Sequence, residues 1–122
     1  MDGFDSYPPS NRTTLDLLDD AGAYPPKLES RLEGLDSTGA SFDLCLYNAG
    51  MDPFAECPIG GLAGMAPALL LARDRIVFAW CASRRIPVAF VLAGGYIAGD
   101  SGRARLVELH RGTIATAAHP AP

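Results

Sequence analysis

Apolar positions along this chain fall into blocks of different spacing, and each block predicts one element. Leu28, Leu32 and Leu35 recur at intervals of four and three, the spacing of a single helix face. Tyr24-Pro25-Pro26 opens this pattern. Prolines suit a first helical turn, where the missing N–H is no loss. Gly34 and Ser37-Thr38-Gly39 close it. Residues 42–49 form a continuous apolar run bounded by turn residues, which predicts a strand buried on both faces. A long loop over residues 50–66 follows, with Pro53, Pro58 and four glycines. A second helix is predicted from Pro67 to about Arg84. Its apolar side carries Leu69, Leu70, Ile76, Val77, Trp80 and Cys81, and its polar side Arg73, Asp74 and Arg75. Arg84 and Arg85 end it, where cations complement the helix dipole. Residues 87–93 read as a second buried strand, left through Gly94-Gly95-Tyr96. The last helix runs from about Gly102 to Ala118, with Leu106, Leu109, Thr113 and Ala117 on one face.

Strand, helix, strand, helix predicts an α/β fold with a parallel sheet. In such sheets ligands bind beyond the carboxyl ends of the strands. Asp52 and Tyr96 follow the two predicted strand ends, so the topology brings residues 44 positions apart to one edge. Asp52 sits between a permissive Gly50 and a stiff Pro53. A carboxylate held this way suits a metal ion, and Asp before Pro is also common turn-cap chemistry. Tyr96 follows two glycines that allow close backbone approach. Its hydroxyl could donate to a developing oxyanion, or the ring could pack over the loop with its OH in water. Spacing alone leaves both pairs of readings open.

Composition narrows the class. The chain has 122 residues, 48% of them hydrophobic, enough for one small domain with a core: a lead-in over 1–23, an α/β body over 24–118 and a tail over 119–122. A net charge of −4 with scattered arginines argues against a nucleic-acid surface. The longest apolar stretch is too short to span a membrane, and the acidic N-terminus lacks a signal-peptide core. Cys45, Cys57 and Cys81 match no CxxC metal pattern and read as reduced, buried thiols of a cytoplasmic protein. His110 reads as a structural helix residue and His119 as solvated; neither belongs to an HxxxH or HExxH pattern. The stretch GGYIAGDSGR lacks the Gly-Lys-Ser/Thr ending of a phosphate loop.

Together, Leu46-Tyr47-Asn48-Ala49-Gly50-Met51-Asp52-Pro53, Pro58-Ile59-Gly60-Gly61-Leu62, Arg73-Asp74-Arg75, the segment Val88 to Tyr96 and Leu109-His110-Arg111-Gly112-Thr113 resemble the C-terminal part of the histone deacetylase superfamily. The likeness is to its bacterial histone deacetylase-like and acetylpolyamine amidohydrolase-like branch. It implies a βαβ fragment of an arginase/deacetylase-like three-layer fold and a zinc-dependent amide hydrolase. In that family the aspartate matching Asp52 ligates zinc, the tyrosine matching Tyr96 holds the scissile carbonyl, and Gly50, Gly94 and Gly95 form the site backbone. Cys57 stands where many members carry a second acid. The family's His-His pair and Asp-x-His segment are absent, and residues 1–41 contain no histidine. One carboxylate is too few for a catalytic zinc, which needs about three protein ligands. The resemblance therefore implies a chain inactive alone, which does not retain zinc. Its expected partner is the missing N-terminal part, in a split enzyme, or a second copy. The alternative is a non-catalytic interaction module.

Overall fold

Prolines begin two of the three helices, as the missing N–H of the first turn allows. A computed structural model describes residues 13–120. After a short 3-10 turn at Ala21–Ala23 come α1 (Tyr24–Ser37), β1 (Cys45–Asn48), α2 (Pro67–Ser83), β2 (Val88–Val91) and α3 (Gly99–Ala118). The fold is mixed α/β, and β1 and β2 pair in parallel with Cys45 opposite Val88 and Asn48 opposite Val91. Residues 1–12 of the predicted lead-in lie outside the described residues. The part that follows is tied down: Asp16 pairs with Lys27 and Arg31 of α1, Asp20 caps the 3-10 turn, and Ala21 is buried.

Both strands are shorter than their apolar runs, yet the ladder continues past them. The Cys45 N–H donates to the Pro87 carbonyl (2.8 Å), Ala49 to Val91 (3.0 Å) and Met51 to Ala93 (2.8 Å). The ladder thus carries the β1 chain in register to the start of the 50–66 loop.

Burial on both strand faces does not hold. Cys45, Tyr47, Val88 and Phe90 are half-buried on the helix side, whereas Leu46, Asn48, Ala89 and Val91 face outward. Leu46 is 78% exposed and Val91 57%. The reason lies in where the helices go. α2 packs between α1 and α3, and its Phe78 meets Tyr47 and Phe90 edge-on at 5.6 and 5.3 Å between ring centroids. Nothing among the described residues covers Leu46 and Val91. An apolar run signals that a strand suits burial; it does not supply the layer that buries it.

The long loop is packed rather than loose. Met51, Phe54, Cys57 and Met65 form a core cluster with Ala21 and Leu70. Backbone bonds from Leu62 to Pro53 (3.1 Å) and from Ala55 to Met65 (3.1 Å) fold it back on itself. A side chain at Gly61 would run into the carbonyls of Cys57 and Phe54, so this crossing requires glycine. A second cluster joins Val77, Cys81 and Ile86, with Leu28, Cys45, Tyr47, Trp80 and Val88 against it.

One placement on α2 is corrected. Arg73 and Asp74 do not share the solvent side with Arg75; they are 2% and 1% exposed, among the most buried residues of the helix. Among the described residues, no helix is long and apolar enough to cross a membrane.

Candidate functional site at the carboxyl edge

β1 leaves the sheet through Asn48-Ala49-Gly50-Met51-Asp52, and three contacts fix this exit. The Asn48 side chain accepts the Gly50 N–H (3.1 Å). The Gly50 carbonyl accepts from Arg73 Nη1 (2.7 Å). The Asp52 carboxylate reaches across to the other strand exit, where Oδ1 accepts the Gly95 N–H (3.1 Å). Gly94 and Gly95 have φ of 68° and 92°. A side chain at Gly94 would overlap the Asp52 carboxylate, and one at Gly95 would overlap Leu106 of α3. The glycines therefore make the seat that the carboxylate occupies. Tyr96 comes next, with φ of 32° and 61% of its surface exposed. Asp52 and Tyr96 thus leave the same edge of the parallel pair. Asp52 is a bridge between the two strand exits rather than a cap of its own turn.

Behind this edge lies a buried polar cluster. Asp74 accepts from Thr113 Oγ1 (2.6 Å), from Arg73 Nε (3.0 Å) and, in a short bond, from the Tyr47 hydroxyl. Arg73 Nη2 sits 2.9 Å from Asp74 Oδ1, an ion-pair distance without hydrogen-bond alignment. Burial pushes the Tyr47 pKa well up, and Asp74 adds to this while Arg73 opposes it, so Tyr47 stays a neutral donor. Burial works against the Arg73 charge, but the charge and hydrogen bond of Asp74 beside it favour the charged form, and its pKa lies above the ordinary value. The cluster links β1, α2 and α3, and through Arg73 it grips the strand exit that carries Asp52. Polarity alone placed this pair on the wrong side of α2. The local signal is partial: Leu70, Asp74, Val77 and Cys81, spaced by four, three and four, put Asp74 on the apolar stripe of the helix, without Arg73 and without the distant partners that satisfy it there.

His110 of α3 borders the same cluster, with its Nδ1 buried and unpartnered among the described residues. Burial first, and Arg73 second, lower its pKa from 6.5, with Asp74 opposing. The folded protein therefore holds its proton less tightly than the unfolded chain does. This contribution to stability is complete above about pH 6.5 and is lost as pH falls through the lower folded value. Urea midpoints should drop between pH 7.5 and pH 5, and His110→Gln should flatten that slope. An unchanged slope in the variant would remove His110 as the cause. The lowered pKa values of Asp16 and Asp36 act only below the carboxylate value of 3.8 and leave this window clear.

No family model matches this chain, and no solved structure matches it. The donor set can be judged directly. Among the described residues, no three His, Cys, Asp or Glu side chains gather in metal-binding range. Asp52 Oδ1 is engaged by Gly95, Glu56 pairs with Arg105, and the buried Cys57 thiol donates to the Ile59 carbonyl (3.0 Å). His110 faces Arg73 and Asp74, and His119 is exposed at the end of α3. These residues do not fit a catalytic zinc. What the edge offers is one positioned carboxylate and one exposed phenol.

Proposed function

We propose that this chain is the C-terminal part of a deacetylase-like zinc amide hydrolase of the arginase/deacetylase fold. It is inactive alone and acts when the missing part joins it. The substrate class is an N-acetylated amine: a lysine side chain, a polyamine or a small amide. One observation carries the reading. The Asp52 carboxylate is seated on the Gly94-Gly95 turn at the carboxyl edge, with Tyr96 exposed beside it. Two strand exits that share one carboxylate suit a ligand site better than a simple turn. This chain's part is to hold that carboxylate and present the phenol. The remaining metal ligands and the base for the attacking water would come from the second polypeptide.

The uncovered sheet face favours a second reading, a non-catalytic interaction module. Parallel strands are ordinarily covered on both sides, and here Leu46, Ala89 and Val91 lie open.

One experiment separates the two. The chain is mixed with a polypeptide bearing the His-His and Asp-x-His segments of a deacetylase-like protein, supplied with zinc and assayed on an acetyl-lysine peptide. Neither part alone should turn over. The mixture should elute as a complex, bind less apolar dye than the separate chains, and hydrolyse the peptide. Asp52→Ala should abolish that activity, and Tyr96→Phe should reduce it by about 10²–10³-fold, as for loss of one oxyanion donor. A complex without turnover would favour the interaction module. Absence of any complex would defeat the enzymatic reading.

A further inference from the structure

β1 begins at Cys45, and α2 ends shortly after Cys81. Two backbone hydrogen bonds tie both cysteines to one dipeptide: the Ile86 N–H donates to the Cys81 carbonyl (2.9 Å), and the Cys45 N–H donates to the Pro87 carbonyl (2.8 Å). The two backbones are thereby held side by side. Cys45 packs on the cluster of Val77, Cys81 and Ile86. Both line one apolar groove between α1, α2 and the start of β1. Cys57 belongs to the other core cluster and has its own partner in the Ile59 carbonyl.

We propose that Cys45 and Cys81 are a redox pair, closed to a disulfide by hydrogen peroxide and reopened by a thiol reductant. The two sulfurs are unequal. Cys81 is fully buried, and burial, reinforced by Cys45, pushes its pKa up to about 12. Cys45 is half-buried on the groove and meets the oxidant first. Its thiolate attacks one peroxide oxygen, the O–O bond breaks, and the departing hydroxide leaves as water, giving a sulfenic acid at Cys45. The Cys81 sulfur then attacks the Cys45 sulfur. The S–S bond forms, the S–O bond breaks, and the hydroxide departs as water with the Cys81 proton. Two thiols and one peroxide thus become one disulfide and two waters. Two equivalents of an external thiol reverse the change and are themselves oxidised to a disulfide. The bond would pin the start of β1 to the end of α2 and close a loop that contains the Asp52 exit. This inference stands independently of the proposed hydrolase.

The test is peroxide treatment of the full chain, alkylation of remaining thiols, and mass mapping after cleavage at arginine and aspartate. This cleavage separates the three cysteines, since Asp52 lies between Cys45 and Cys57 and Arg75 lies between Cys57 and Cys81. The expected product is residues 43–51 joined to residues 76–84, with Cys57 alkylated. The oxidised monomer should melt ~5–15 °C higher, and dithiothreitol should reverse the shift. Cys45→Ser should lose both the cross-link and the shift. In Cys81→Ala, Cys45 should instead overoxidise to sulfinic acid. Full alkylation of Cys45 and Cys81 after peroxide would overturn the proposal. So would a cross-link through Cys57 or between two chains. The wild-type map decides this even if neither variant folds.

Discussion

Replacing Asp74 with alanine should destabilise the fold by about 3–5 kcal/mol, the cost of breaking a buried ion pair and leaving one charge behind. Asp74 accepts from Tyr47, Arg73 and Thr113. Its removal strands a guanidinium that is 2% exposed, with the Gly50 carbonyl as its remaining acceptor among the described residues. Against the ~5–15 kcal/mol that holds a typical small domain together, that is about a fifth of the total at the least. Urea unfolding followed by circular dichroism measures it. Thr113→Val removes only one donor and should cost less, about 1–3 kcal/mol, since it leaves a partly satisfied carboxylate. A loss below 1 kcal/mol for Asp74→Ala would mean that water reaches the cluster and that α2 does not hold the Gly50 exit in the way described.

The second large effect is expected at Gly94. Alanine there meets two obstacles, a φ of 68° and overlap with the Asp52 carboxylate. The left-handed backbone alone costs roughly 1–2 kcal/mol for a residue with a side chain. Displacing Asp52 also breaks its bond to the Gly95 N–H, so the sum should reach about 2–4 kcal/mol. A double-mutant cycle separates the two parts. In an Asp52→Ala background the overlap disappears, and Gly94→Ala should cost only the backbone term. Equal costs in both backgrounds would show that the carboxylate does not sit in the glycine seat. That outcome would remove the contact on which the proposed function rests.

Much of the scaffold was legible from local pattern. The helical spacing of Leu28, Leu32 and Leu35, the prolines at helix starts and the two apolar runs gave the elements and their order. Element type follows from periodicity and from residues that permit or forbid particular backbone angles, and both are local properties. The close backbone approach at Gly94-Gly95 belongs to the same class of inference, and both glycines have positive φ.

Three features were decided only by tertiary structure, each for the same reason. Asp74 is buried because Tyr47 and Thr113, 27 and 39 positions away, arrive to satisfy it. Arg73 is buried with it because the Gly50 carbonyl, 23 positions away, turns toward α2. Asp52 bridges two strand exits because Gly95, 43 positions away, offers its N–H in a space that a side chain would have closed. A polar residue read alone carries the desolvation cost of burial and is assigned to solvent; partners distant in the chain offset that cost, and local spacing does not contain them. The one-sided sheet is the converse case. The apolar runs showed that both faces of β1 and β2 suit burial, but the packing of α1, α2 and α3 decided which face was covered and left Leu46 and Val91 open.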